Sequence, residues 1–279
     1  MENLKIGTCS WKYPSWEGLV YSRPSGINYL KEYAQNYNTV EIDQWFYALP
    51  DSATVRQYVS SVPDNFTFSI KAPSAITLTH TRQKQRDQLL RANKDFLSIP
   101  LLYSFLKLLE PMRNQIDVIM FEFEYLNKQK MPSLESFLEQ LDVFFSQVPS
   151  GFSYALETRN SNYLKDTYFK FLNSNNIYHV FSEKIYMPPI TEVYEKFKNN
   201  ITHKTVIRLL GGDRRAIEKK THERWDQIVE PKEEDLYKIS RMIQKLICGN
   251  TAVTLNINNH YEGSAPLTID KLNRLLSSV

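Results

Sequence analysis

A single (β/α)8 barrel is the fold this sequence predicts, and three observations carry the expectation. Short apolar-rich segments alternate with longer helical ones eight times over roughly 250 residues, the usual length of such a barrel. Glycine-rich phosphate loops are missing: the 279 residues hold only 8 glycines, with no G-x-G-x-x-G and no P-loop motif, so no cofactor is expected. Within several strands the polar residues take one face and the apolar residues the other, whereas a strand of a two-faced parallel sheet reads as a near-continuous apolar run. A doubly wound open sheet is the alternative, because strand order cannot be read from a sequence.

The elements follow in order. Leu4–Cys9 is the first strand and Ile27–Gln35 its helix. Thr39–Asp43 precedes Ser52–Ser60, and Phe66–Lys71 precedes Lys94–Leu109. Val118–Glu124 leads into Ser133–Gln147, where Pro132 and Ser133 form a helix-start signal. Ser153–Arg159 is followed by Asp166–Asn173, and Tyr178–Ser182 by Glu192–Lys198. After Thr205–Leu209, the run Asp213-Arg214-Arg215 and Glu218-Lys219-Lys220 reads as a solvated charged loop. Glu233–Leu246 is the next helix, stopped by Gly249. Ala252–Asn258 and Thr268–Leu276 close the series. No linker, repeat or low-complexity segment divides the chain, so residues 1–279 are expected to form one barrel domain.

Composition narrows the class. Charged residues at 23% and hydrophobic ones at 42% are ordinary globular values and argue against disorder. No apolar run approaches the roughly 20 residues of a membrane span. The opening Met-Glu-Asn-Leu-Lys lacks the apolar core of a signal peptide, and Cys9 with Cys248 makes neither a disulfide framework nor a thiol metal cage. A cytoplasmic monomer without a membrane partner is the expectation. The net charge of +3 permits weak attraction to polyanions.

Strand parity then singles out candidate site residues. Side chains on a strand alternate between faces. The apolar face must meet the helices, so Glu41, Asp43, Lys71, Glu122, Glu124, Glu157, Arg159, Arg208, Asn256 and Asn258 should face the barrel interior. They sit late in their strands, near the C-terminal rim where barrel active sites are built. Burying such groups is costly unless they are paired or wet. A polar interior on this scale is better explained by a site than by packing.

The same residues carry a family resemblance. Gly7-Thr8-Cys9-Ser10-Trp11 with Trp16 and Gly18 resembles the opening of the YecE-like family, also called domain of unknown function 72. Thr39-Val40-Glu41-Ile42-Asp43 with Phe46-Tyr47 and Pro50 is similar to its second-strand motif. So is Phe66-Thr67-Phe68-Ser69-Ile70-Lys71 with Ile76-Thr77 and His80 to the third. Glu157-Thr158-Arg159 matches its E-x-R, Arg208-Leu209-Leu210-Gly211 resembles R-x-H-G, and Asn258-Asn259-His260-Tyr261 with Gly263 and Ala265 resembles the terminal motif. The resemblance implies a TIM-type barrel and no established activity. Two departures stand out: Glu122-Phe123-Glu124-Tyr125 replaces a Q-L-P-P step, and Leu210 stands where the family has His.

The chemistry expected is acid–base cleavage, by a hydrolase or lyase, of an anionic ring-containing substrate such as a phosphorylated sugar or a nucleotide-like molecule. Glu157 and Glu41 are the candidate acid and base, since paired carboxylates in different surroundings divide those roles. Lys71 balances the acids or, if desolvated, acts as base or imine-forming amine. Arg159 and Arg208 match an anion bidentately. Asn258, Asn259, Glu122 and His80 line the mouth, and Trp11 and Tyr47 offer rings that stack on a sugar or base. If the guanidiniums are absorbed by Glu157 and Glu122, the mouth suits a neutral sugar-like ligand or base instead. None of the five histidines lies at a paired metal spacing, so no metal is assigned. An acid-only site from Glu41, Glu122, Glu124 and Glu157 stays open. A non-catalytic module for nucleic acid or a sugar phosphate is the alternative function.

Overall fold

The computed structural model describes residues 3–23, 25–81 and 89–277. Eight strands run parallel in the order β1-β8-β7-β6-β5-β4-β3-β2, forming a near-closed barrel. They are β1 Leu4–Thr8, β2 Thr39–Ile42, β3 Thr67–Lys71, β4 Ile116–Phe123, β5 Tyr154–Thr158, β6 Ile177–Lys184, β7 Lys204–Gly211 and β8 Ala252–Ile257. The helices of the outer layer are α1 Tyr29–Tyr33, α2 Ser52–Ser60, α3 Ser74–Thr77, α4 Ile99–Leu109, α5 Leu134–Phe145, α6 Asp166–Ser174, α7 Ile190–Phe197, α8 Arg214–Thr221, α9 Glu233–Cys248 and α10 Ala265–Ser277. Each strand expected from the sequence is present, with ends shifted by a residue or two.

Local chemistry sets the helix starts. Asn28, Asp51, Ser98 and Ser133 each accept a hydrogen bond from the backbone N–H three residues on, capping α1, α2, α4 and α5. The charged stretch after β7 corrects the sequence reading: it is a helix, α8, not a loop. Asp213 caps it by accepting from the Arg215 and Ala216 N–H groups, and Arg214 pairs with Glu218 one turn on. Its charges lie along a solvated helix face, which periodicity of apolar residues alone did not reveal.

Two cores result from the alternation. Outward residues such as Val40, Ile42, Phe68, Ile70, Phe121, Phe123, Leu156, Ile207 and Leu255 join the helices in one large apolar cluster. Fully burying one Phe of this set contributes roughly 1.5–3 kcal/mol. The inward positions form a second, small apolar layer of Val118, Met120, Ala155, Tyr178, Val180 and Val206. Below it, at the N-terminal end, buried Asp117 receives Lys5 at 2.6 Å, Lys204 at 3.2 Å and the Thr254 hydroxyl at 2.7 Å. Burial pushes the Asp117 carboxyl up, but Lys204 and Lys5 outweigh it and hold the group below the usual range. The apolar layer therefore separates a sealed floor from a polar mouth above.

The barrel closes by an unusual joint. No strand ladder links β1 to β2. Instead the buried Tyr33 hydroxyl of α1 accepts from the Thr8 N–H at 2.9 Å and donates to the Thr39 carbonyl at 3.0 Å. It stands where a backbone bond would otherwise run. Gly7 permits the close approach, since a Cβ there would lie 2.0 Å from the Thr39 carbonyl oxygen.

Tyr33→Phe leaves the Thr8 N–H and the Thr39 carbonyl buried without that partner. Urea denaturation should show a loss of about 1–3 kcal/mol, the cost of stranded buried polar groups. Unchanged stability would mean that the hydroxyl does not carry the joint.

Candidate active site at the C-terminal mouth

One guanidinium organises the mouth. Arg208 on β7 points into the barrel and is almost wholly buried. Its Nε donates to Glu41 Oε2 at 2.8 Å and its Nη2 to Glu41 Oε1 at 2.6 Å. Its Nη1 reaches Glu157 Oε2 at 2.5 Å and Glu122 Oε2 at 3.0 Å. Burial alone would lower this guanidinium; Glu157, Glu41 and Glu122 outweigh burial and hold it well above its usual range. Burial pushes the Glu41 carboxyl up, opposed by the guanidinium that holds both its oxygens. Arg208 is thus spent on three carboxylates from β2, β4 and β5.

Glu157 is also saturated. Its Oε1 accepts from the Ser182 hydroxyl at 2.5 Å and lies 2.7 Å from Arg159 Nη2. Its side chain is 1% exposed. Glu122 differs. Its Oε2 meets Lys71 at 3.0 Å, Arg208 at 3.0 Å and Arg159 at 3.2 Å, while Oε1 has no partner among the described residues. The side chain is 17% exposed, so one oxygen is held fast and the other faces the mouth. Burial would raise this carboxyl, but Arg159, Lys71 and Arg208 together hold it far below the usual carboxylate range. It is an ionised, oriented acceptor.

Lys71 ends β3 and pairs with Asp43 at 2.7 Å as well as with Glu122, its ammonium 3.8 Å above the Phe46 ring. Burial would lower it; Glu122 and Asp43 hold it above its usual range. A lysine kept charged in this way is not a free amine. Arg159 retains one buried donor, Nη1, without a partner among the described residues. Asn256, beside Arg208 in the β7–β8 register, is fully buried, and neither of its amide atoms has a partner among the described residues.

The other expected residues are scattered around this cluster. Asn258 accepts from the His260 N–H at 3.0 Å, and His260 in turn contacts Glu218 at 3.1 Å. Asn259 is buried and accepts from the Ala265 N–H, holding the loop after β8. Trp11 is buried, edge-on to Tyr58 at 5.1 Å. Tyr47 is 61% exposed, against Phe46. His80 sits beyond α3, its Nδ1 3.0 Å from the Thr79 hydroxyl, and bonds to no residue of the cluster among the described residues. Glu124 turns aside to Lys130 at 2.6 Å. Among the described residues no group of three or more His, Cys, Asp or Glu is arranged to hold a metal ion. One contributor went unseen in the sequence reading, Ser182, whose hydroxyl donates to Glu157. The sixth strand was expected to end there and runs on to Lys184, an exposed residue beyond a register shift.

Comparison with known proteins gives the lineage. The family model described as "Protein of unknown function DUF72" matches residues 5–279. The chain belongs to the DUF72 family. The UPF0759 protein YecE of Escherichia coli K12 is 28% identical over 161 residues, covering 57% of this chain and 50% of that protein. The match thus spans about half the length of this curated relative. A DUF72 crystal structure from Enterococcus faecalis has a TM-score of 0.70 at 18% identity, covering 99% of this chain and 96% of that one. One from Thermotoga maritima has a TM-score of 0.69 at 20% identity and covers 99% of both chains. A GH10 endoxylanase from a sugarcane soil metagenome has a TM-score of 0.51 at 10% identity, covering 98% of this chain and 97% of that one. These likenesses show the DUF72 chain to be a TIM-type barrel. No described helix is long and apolar enough to cross a membrane.

Removing the hub should expose its electrostatics. Arg208→Met strands buried Glu41 and takes one of its two cations from Glu157, and should cost roughly 3–5 kcal/mol at neutral pH. The sign with pH separates the two proteins. In the native chain, the depressed Glu122 and Asp117 contribute stability that is complete above the ordinary carboxylate pKa of about 4 and lost as pH falls below it. In the variant Glu41, which burial already raises, loses the guanidinium that opposes that rise, so mild acid should recover part of the loss. Denaturant titrations across pH that give parallel profiles would refute this account.

Proposed function

We propose that the mouth carries out acid–base cleavage, by hydrolysis or elimination, of a small anionic ring-containing substrate of the phosphorylated-sugar or nucleotide-like type. The supporting observation is Glu122, whose one oxygen is clamped by three cations while the other faces the opening. The substrate-facing role therefore falls to Glu122. Glu41 and Glu157, first favoured for it, have their oxygens committed, those of Glu41 to Arg208 and those of Glu157 to Arg208, Ser182 and Arg159, and act as positioning residues. A carboxylate so strongly ionised serves as nucleophile or as stabiliser of developing positive charge better than as a proton donor. Arg159, 12% exposed, brings a guanidinium for the anionic group, and Tyr47 a ring surface at the rim.

Four carboxylates, Glu41, Asp43, Glu122 and Glu157, face three cations, Lys71, Arg159 and Arg208. That balance favours a compact ligand over a long polyanion. The likeness to an endoxylanase is one of fold, and it makes glycosides a sensible first trial. On a glycoside, Glu122 and Glu157 would not act by inversion. Both reach Arg208 Nη1, at 3.0 and 2.5 Å, closer together than the roughly 6.5–9.5 Å that inversion needs.

The test is turnover of a panel of phosphorylated sugars, nucleotides and aryl glycosides, followed by Glu122→Gln. A loss of kcat of roughly 100-fold or more is expected. Full activity in that variant would remove Glu122 from the chemistry. A panel without turnover, together with nucleic-acid binding that weakens steeply with salt, would favour the binding-module alternative.

A further inference from the structure

The charged helix α8 is lightly held. Of its eight residues only Ile217 and Thr221 are buried. Gly211 and Gly212 lead into it, and nothing lies within 4 Å of where a Cβ on Gly212 would stand. His222 and Glu223 follow it with φ of +50° and +57°, the left-handed region that such residues seldom enter. Beyond that turn the Trp225 N–H donates to Ser15 Oγ at 3.0 Å, so the segment crosses the rim from the end of β7 to the loop after β1. Lys220 pairs with Glu230 at 2.6 Å on the solvated side. A short helix with so little buried surface belongs to the parts of a fold that open at low cost.

Its tie to the rim is His260, in the loop after β8. The end of β7 runs against this loop, since a Cβ on Gly211 would stand 2.0 Å from the His260 carbonyl oxygen. The imidazole packs against Trp225 at 4.8 Å. Both of its ring nitrogens face acceptors. Nδ1 is 2.5 Å from Asn258 Oδ1, and Nε2 is 3.1 Å from Glu218 Oε1 on α8. Turning the Asn258 amide would not supply a donor, because the same Oδ1 already accepts from the His260 N–H at 3.0 Å. A neutral imidazole carries one N–H and satisfies one of these acceptors; the imidazolium satisfies both.

We infer that His260 is a proton-operated latch, which ties α8 to the rim residue Asn258 in mild acid and loosens that helix as the pH rises. The charged groups facing the ring are Glu218 and Arg214 on α8 and Lys184 at the end of β6. Burial pushes the imidazole below its usual range, and Arg214 and Lys184 add to that push, while Glu218 opposes them. Between the two α8 residues the pull of Glu218 outweighs the push of Arg214, so moving α8 away takes more from the charged ring than it gives back. A proton on His260 and α8 in its place therefore favour each other, and docking strengthens as pH falls through the titration of this ring. Glu218 remains ionised meanwhile, because Arg214 and then His260 hold it below the usual carboxylate range. The latch goes beyond the proposed reaction and does not depend on it.

Hydrogen exchange of the α8 amides in the full chain, corrected for the intrinsic effect of pH on exchange, tests it without a substrate. Protection relative to α9 should be roughly two- to fivefold greater at about pH 5.5 than at about pH 8, the worth of one partly exposed ion pair across the histidine range. His260→Gln should remove the difference. Glu218→Gln, a change on the solvated helix, should remove it too, and should move the titration of the His260 ring, followed by its NMR signal, to lower pH. Equal protection at the two pH values in the native chain overturns the inference. So does a His260 titration that Glu218→Gln leaves in place, and this second measurement decides the matter even where His260→Gln does not fold.

Discussion

The interior of this barrel depends on one buried positive charge. Arg208 projects from β7 and meets carboxylates from β2, β4 and β5, so a single guanidinium connects strands on opposite sides of the sheet. Removing a charge of this kind from water is expensive, and only excellent geometry repays the cost. Here the planar fork supplies that geometry, with both oxygens of Glu41 on one edge. Lysine could not replace it, because a point charge cannot serve three carboxylates in fixed directions. The same constraint underlies the proposed chemistry: the acids that hold the hub have no oxygen left over, and Glu122 is the one with an oxygen to spare.

The layering above and below that hub gives the mouth its character. The apolar ring of Val118, Met120, Ala155, Tyr178, Val180 and Val206 lies between the Asp117 floor and the mouth, so two ionic clusters are stacked with an apolar layer between them. Above that layer, polarity differs across the opening. Asp43 and Glu124 lie on the β2 and β4 side, 39% and 35% exposed, and Arg159, 12% exposed, lies on the β5 side.

Much of this was legible in the chain. Eight strands were visible because their outward faces are apolar runs at every second position, as in Phe66–Lys71 and Ala252–Asn258. The mouth was visible because charged residues occupy the opposite parity, where packing alone does not place them. What could not be read was which charge pairs with which. Arg208 and Arg159 look alike in sequence, yet one is spent and the other keeps a free donor, a difference set by neighbours up to 167 residues away. Lys71 could be read as a paired charge or as a free amine, and only the convergence of Asp43 and Glu122 on it decides for the pair. The helix α8 was hidden for another reason. Its stability comes from a cap and a charge pair on a solvated surface, neither of which produces an apolar period.

The joint at Tyr33 has a meaning beyond its two hydrogen bonds. A sheet that does not complete its ladder has two edge strands, and exposed edges are templates for pairing with other chains. In this protein the edges of β1 and β2 are turned toward each other, and a phenol from the intervening helix covers the gap between them. Because α1 lies between the two strands in sequence, the cover is local and forms with the closure it protects. Before α1 docks, the chain carries two unguarded edges, and the β2 edge is the fully buried segment Thr39–Ile42. One tyrosine thus guards the two strand edges through which such a chain would otherwise pair with a neighbour.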